Sequence, residues 1–499
     1  MMIYKLKLNW IIGGLFILIF TSLLILRLGI LEEVETEHSG GRIFNARNKT
    51  DRETWMNIFQ QGERIGYAHR QFFKTVEGYR IFESVFMQIN LMGMVQDVRF
   101  KTEGNFHHDL TLSSFDFELQ SSLFHFKARG VLKGKILTLF TGKRGLEQKI
   151  DFPIEKKTYL SVGILEALIH ENLKPGYSRT LHIFDPTTVT QRPVKVDVLS
   201  EETIQIMGRQ ERAKKVSVHF MGVPQFAWIG ENGTVLKEEG PLGIRLEQVT
   251  KDEALNKMTL SQSADLAEIV SIPANKILHD VSQLKELKIK IDGIEDVDKT
   301  RPRGEIFLNG DRQSLKNNIL TIRRESLSNL PSSIKGEKVF VDGRTYLEST
   351  PFIQSDHPEI QAKVREIVSP GDPAIVKAKK LVTWVNEKIQ KRPVLSVPNA
   401  LETLRYKVGD CNEHAVLLAA LARASGIPAQ VEAGLVYQKG RFYYHAWNVL
   451  YLGTWITADS VMGQLPTDVT HIRFVRGTEQ QIDLVRMIGR VRLEIVAAY

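Results

Sequence analysis

The hydrophobic period of this chain changes near residue 356, and that change limits the folds open to it. From about 52 to 250 the apolar residues fall in short runs of β-formers, such as Ile65-Gly66-Tyr67, 78–82 and 136–140. Glycine turns at Gln61-Gly62-Glu63 and Lys133-Gly134-Lys135 separate them. Asn232-Gly233 between two apolar runs is a two-residue hairpin signal. One helix interrupts at 161–172, where Leu165, Leu168 and Ile169 share a face and Pro175-Gly176 end it. A smaller strand-rich stretch follows, with candidates at 289–291, 304–308 and 338–341. Beyond 356 the spacing turns helical. Ile375, Ala378, Val382, Val385 and Ile389 follow Asp372-Pro373, an N-cap with proline at the first helical position. Asn399, with Glu402 three residues on, opens another helix.

Residues 8–26 carry no formal charge, and 19 residues approach the ~20 a helix needs to cross a bilayer. Lys5 and Lys7 precede the run, and Glu32, Glu33, Glu35 and Glu37 follow Arg27. This bias predicts a single-pass inner-membrane anchor with the bulk of the chain extracytoplasmic, in the periplasm. A signal peptide fits less well, because its apolar region is shorter and no A-x-A-like site follows Leu26.

Composition excludes several classes. Lys plus Arg is 66 against 58 for Asp plus Glu, a net charge of +8 spread along the chain. No dense basic tract with interleaved aromatics exists, so nucleic acid is not an expected partner. Cys411 is the sole cysteine, which rules out a disulfide within the chain and a multi-cysteine zinc site. No EF-hand-like acidic loop is present.

Asp410-Cys411-Asn412-Glu413 reads as a capping box, with Asp410 as N-cap and Glu413 at the third helical position. The helix runs through AVLLAALARAS and stops at Gly426-Ile427-Pro428. Apolar residues cover almost its whole circumference, so it belongs at the centre of a core. Gly409 lets the chain enter it without side-chain obstruction. Cys411 sits in the first turn, where unsatisfied N–H groups favour a thiolate and Asp410 opposes one. Three strands follow, 430–437, 442–450 and 455–460. Tyr443, His445, Trp447 and Val449 share one face of the middle strand, and Trp455, Thr457 and Asp459 one face of the last. A three-residue loop Tyr451-Leu452-Gly453 pairs Leu450 with Thr454 and sets His445 opposite Asp459, about 5 Å apart at Cβ. A two-residue loop would face Asp459 the wrong way. Thiol, imidazole and carboxylate form the set used in nucleophilic acyl transfer. The other reading of the same residues is a core thiol, a strand histidine and a turn aspartate. His414 forms an isolated Cys-x-x-His pair, read as a helix-surface or supporting residue rather than a metal ligand. Trp447 either shields the site from water or belongs to the core.

Val408-Gly409-Asp410-Cys411-Asn412-Glu413-His414-Ala415, Ala424-Ser425-Gly426-Ile427-Pro428-Ala429, Tyr444-His445-Ala446-Trp447-Asn448-Val449 and Trp455-Ile456-Thr457-Ala458-Asp459 occur in this order. Together they resemble the bacterial transglutaminase-like superfamily core over about residues 358–475. The resemblance implies a papain-like fold with Cys411 as nucleophile, His445 as general base and acid, and Asp459 as the orienting residue. Many members place a proline or similar turn residue after the aspartate, where this chain has Ser460. The resemblance assigns no oxyanion-hole side chain. The Cys411 N–H is a reasonable half of that site, and Trp384 and Asn399 lie upstream without matching spacing.

The expected fold is therefore α+β: a transmembrane helix (1–27), a linker (28–51), an antiparallel β-rich sheet or half-barrel (52–255), a smaller strand-rich segment (256–355) and a papain-like transglutaminase core with C-terminal strands (356–499). The expected function is a membrane-anchored thiol enzyme acting on amide or peptide carbonyls of a protein or peptide substrate through a thioester. Water as acceptor makes it a peptidase or deamidase, and an amine makes it a transglutaminase. The alternative is a non-catalytic envelope binding or assembly protein that uses the β-rich region. Neither a cofactor nor a metal is expected.

Overall fold

The computed structural model describes residues 51–499 apart from 122–123, 142–146, 170–173, 187–189, 221–222, 257–263, 295–307, 329, 331–345, 395–396, 398, 478–483 and 485–486. The first strand, Arg52–Gln60, is the pivot of a 15-stranded sheet. On one side the chain winds outward through successive antiparallel hairpins to Gln148–Pro153. On the other, Ile244–Val249 pairs antiparallel with Arg52–Gln60, and the strands run back in reverse order to Thr158–Leu160. That last strand lies parallel to Ser178–Asp185. Leu181, Ile183, Val194, Val196 and Val198 alternate inward and are fully buried with Phe115, Phe184 and Leu168. The helix between the halves is Ile164–Ile169. At the expected hairpin, the Gly230 N–H donates to the Thr234 carbonyl and Gly233 takes a positive φ of 77°.

Several expectations about architecture are corrected. The expected α+β class is corrected: the molecule is β-rich, with one 15-stranded sheet built from strands between Arg52 and Val249. No helix among the described residues is long and apolar enough to cross a membrane. The longest of them, Ala374–Lys388, has 15 residues and carries Lys377, Lys379 and Lys380, so it is both too short and too charged for the hydrocarbon. The run 8–26, where the spanning helix was expected, lies outside the described residues. The strands expected at 304–308 and 338–341 also fall largely outside them.

Glu286–Asp292 forms a strand that pairs with Ile319–Arg323 on one side and with the C-terminal strand Arg492–Ala498 on the other. Leu287, Ile289 and Ile291 point inward from it and join the same apolar core as Leu417, Leu418 and Leu421. That core belongs to the helix Cys411–Ala424 and the strands Ala429–Gln438 and Arg441–Tyr451. Helices Pro358–Ile367, Ala374–Lys388 and Ala400–Tyr406 pack around the cysteine helix. Asn399 Oδ1 accepts the Leu401 and Glu402 N–H groups at the start of the last of these. The large sheet meets this core where Phe124 packs with Val394 and Val408, and where the Gln96 side chain donates to the Pro393 carbonyl at 2.8 Å.

Candidate active site

The capping box at Cys411 forms as its spacing requires. Asp410 Oδ1 accepts the Asn412 N–H at 2.9 Å, and Glu413 Oε2 accepts the Asp410 N–H at 3.0 Å. A Cβ on Gly409 would lie 2.3 Å from the Glu413 Cβ, so glycine is what lets Glu413 fold back. At the far end the Ile427 N–H bonds the Ala422 carbonyl and the Gly426 N–H bonds that of Arg423, with Gly426 at φ 87°. Between the two ends, ten residues from Glu413 to Ala422 are buried, each leucine worth about 1.5–3 kcal/mol over its exposed state. The helix is thereby fixed along its axis and about it, and Cys411 has a defined position.

Cys411 is partly exposed and faces the strand that carries His445. The backbone of Ala446, the residue after His445, hydrogen-bonds its sulfur. Asn448 on the same strand donates to the Ala415 carbonyl at 2.8 Å, pinning strand to helix. Burial pushes the Cys411 thiol well above its ordinary value, the Asp410 carboxylate adds to the rise, and the Ala446 hydrogen bond opposes both. The helix N-terminus was expected to favour a thiolate. Burial and the Asp410 carboxylate act against that preference.

His445 Nε2 lies 2.7 Å from Asp459 Oδ2, with both side chains buried. Nε2 is the ring nitrogen engaged by the carboxylate. The register differs from the expected one. Tyr451 pairs with Trp455 and Leu450 with Ile456, a shift of two residues. A shift of two keeps every side chain on its face, so Asp459 reaches His445 from a diagonal position. The turn after Asp459 forms without proline: its Oδ1 accepts the Val461 and Met462 N–H groups at 2.7 and 3.1 Å. Asn386 Nδ2 donates to the Ser460 and Val461 carbonyls, both at 2.9 Å.

Residues 361–460 match the model of the transglutaminase-like superfamily. The chain carries a transglutaminase-like domain. Two solved structures are similar in part. A β-barrel-like protein of a domain of unknown function from Brucella abortus matches at 13% identity and a TM-score of 0.32, covering 40% of this chain and 95% of that one. The periplasmic domain of TgpA from Pseudomonas aeruginosa, bound to ethylmercury, matches at 15% identity and a TM-score of 0.25, covering 40% and 93%. A comparison with curated proteins finds no match.

Around Cys411, His445 and Asp459 the structure adds residues that sequence reasoning missed. His471 is fully buried, with Nε2 3.0 Å from the same Asp459 Oδ2 and Nδ1 3.2 Å from Asp468 Oδ1. Burial alone would raise the Asp459 carboxyl, but His445 and His471 outweigh it and hold it far below the usual carboxylate range. Asp468 is held low in the same way, chiefly by His471. Burial would lower His471, and the two carboxylates raise it instead. Trp447 belongs to the core: fully buried, it donates to Glu432 Oε2 at 2.9 Å and stacks toward His445, ring centroids 6.1 Å apart. Glu432 is ion-paired in turn with Arg473 and Arg476. From the small sheet, Arg312 donates to the carbonyls of Thr467, Asp468 and His471 at 3.0, 2.6 and 3.1 Å. No spacing rule links residues 312, 386 or 471 to Cys411, His445 and Asp459.

The remaining candidates resolve by their partners. Asn399 is occupied as a helix cap, and Lys363 lies over the Trp384 ring. His414 is buried with Nδ1 2.7 Å from the Asp410 carbonyl. His445, Asp459 and His471 bring ligand atoms within 4.8 Å of one another, the one metal-like grouping among the described residues. Hydrogen bonds from both rings to one carboxylate oxygen account for that convergence.

Proposed function

We propose that this protein is a thiol enzyme that opens amide or peptide carbonyls of a protein substrate through Cys411, His445 and Asp459. The observation that carries the proposal is His445 held by Asp459 through Nε2 beside the strand position, Ala446, that hydrogen-bonds the Cys411 sulfur. His445 Nδ1 accepts the thiol proton as sulfur attacks the carbonyl carbon. The Cys411 N–H at the helix start supports the oxyanion. His445 then returns the proton to the departing amine, leaving a thioester. Water or an amine, deprotonated by the same imidazole, releases the acyl group.

The test uses p-nitrophenyl acetate, since acylation of the sole cysteine reports on Cys411 alone. A burst of nitrophenol with an acetyl adduct on Cys411 is expected from the wild type, and none from Cys411→Ala. Equal rates in the two proteins would sink the proposal. A cavity of about 560 Å³ inside the large sheet, lined by Arg70, Glu83, Phe72, Glu238, Phe226 and Leu246, favours a binding role for that region as a second reading. Protein partners retained by Cys411→Ser, with no adduct on the wild type, would select it.

A further inference from the structure

We propose that His471 is a positioning residue for this centre: an imidazolium clamped between Asp459 and Asp468 that fixes the carboxylate on which His445 depends. The inference rests on the acyl-transfer reading of Cys411, His445 and Asp459. Three observations carry it. His471 is fully buried, and each of its nitrogens faces a carboxylate oxygen, Nε2 that of Asp459 at 3.0 Å and Nδ1 that of Asp468 at 3.2 Å. A neutral imidazole has one N–H and would leave one of these ionised groups facing a lone pair; the imidazolium supplies both donors. The surroundings are built to hold it. Arg312 grips the carbonyls of Asp468 and His471, Gln464 donates to Asp468 Oδ2 at 3.0 Å, and Trp447 packs edge-on with ring centroids 5.2 Å apart.

The consequence lies at Asp459. Its Oδ1 is held by the Val461 and Met462 N–H groups and its Oδ2 is shared by the two histidines. Four N–H groups fix the plane of the carboxylate, and His471 supplies one of the two on Oδ2, with its ring centroid 5.9 Å from that of His445. Without it a buried carboxylate would have a single polar partner on Oδ2, and its charge would be poorly compensated. The His445 ring is then free to swing, and the direction of Nδ1 is lost.

Two substitutions of similar size separate positioning from mere packing. A glutamine at 471 can place its amide nitrogen where Nε2 stands and still donate to Asp459, whereas an asparagine reaches the Nδ1 position and can donate to Asp468. The expected result with p-nitrophenyl acetate is an acylation rate at least tenfold below wild type for His471→Asn, with His471→Gln recovering most of that loss. Equal rates for the two folded variants, or a wild-type rate for His471→Asn, overturns the proposal. Should His471→Asn fail to fold, nitrogen NMR of the unmutated protein decides instead. Protonation of both His471 nitrogens at neutral pH is expected, and a bare Nε2 overturns the idea. Stoichiometric zinc held by His445, Asp459 and His471 in the purified protein would overturn it as well. His445→Ala is the control for the parent reading: if it acylates at the wild-type rate, the triad mechanism fails, independently of what His471 does.

Discussion

Asp459 is the residue on which the site turns, because its carboxylate accepts four N–H groups and offers none. Asparagine at 459 keeps the size but places an amide N–H₂ among donors. Facing Nε2, that group turns the His445 ring to the tautomer with its proton on Nδ1, which cannot take a proton from sulfur. The expected outcome for Asp459→Asn is a loss of acylation rate on the order of 10³–10⁴, with the adduct still forming on Cys411 after prolonged incubation. A loss smaller than about tenfold would remove Asp459 from its role. At this scale the sequence was informative where neighbours in sequence are neighbours in space. Cys411 was legible from its capping box, and His445 and Asp459 from the faces of adjacent strands. His471 was not, because Asp468 lies in a loop and His471 itself carries no periodic signal. The upward push of burial on the Cys411 thiol was also hidden, since desolvation depends on how the helix packs and not on its composition.

Among the elements, the hairpin shows which part of a register is robust. A slip of two residues left His445 and Asp459 on one face, so the wrong pairing still led to the right contact; a slip of one would have separated them. The neighbouring strand pair is less forgiving. Gly434 lies opposite His445, and a Cβ there would stand 1.9 Å from the Ile472 carbonyl oxygen and 3.0 Å from the Phe474 nitrogen. Glycine is what allows the strand Ile472–Arg476, which follows His471 directly, to approach so closely. Gly434→Ala is expected to force that strand outward, with a stability loss of about 1–3 kcal/mol and slower acylation, because His471 moves with it. Thermal unfolding and the nitrophenol burst measure the two effects. An unchanged melting temperature together with an unchanged burst would show that the strand adapts at no cost. None of this was visible in the sequence, where residue 434 is a glycine inside the strand Ala429–Gln438 and its neighbour at 472 is nearly forty residues away.

For the whole molecule, long-range pairing decides the shape, and it is the part that sequence periodicity reaches least. Short runs of β-formers were readable one by one, but the joining of Arg52–Gln60 to Ile244–Val249 and of Glu286–Asp292 to Arg492–Ala498 spans roughly two hundred residues in each case. Arg312 is tied by its carbonyl, which accepts the Arg323 N–H at 2.9 Å, to the strand Ile319–Arg323 that pairs with Glu286–Asp292, and its side chain holds the Asp468–His471 loop. Global stability and the protonation of this loop are consequently linked. Asp459 and Asp468 are held below their ordinary value of 3.8 in the folded chain. Their contribution is present above that value and is lost as the pH falls through the folded values. His471 is held above its ordinary 6.5. Its contribution is complete below 6.5 and is lost as the pH rises through the folded value. Both contributions are therefore intact between about pH 4 and 6.5, and each unit of difference between folded and unfolded values is worth about 1.4 kcal/mol. Melting temperature measured against pH is expected to hold a plateau across that window and to decline on both sides. His471→Gln lacks the titrating ring, so its curve should stay flatter than wild type above pH 6.5. A variant whose melting temperature declines there as steeply as the wild type would show that His471 gives up no proton linked to folding, and that the two carboxylates are held by something other than its charge.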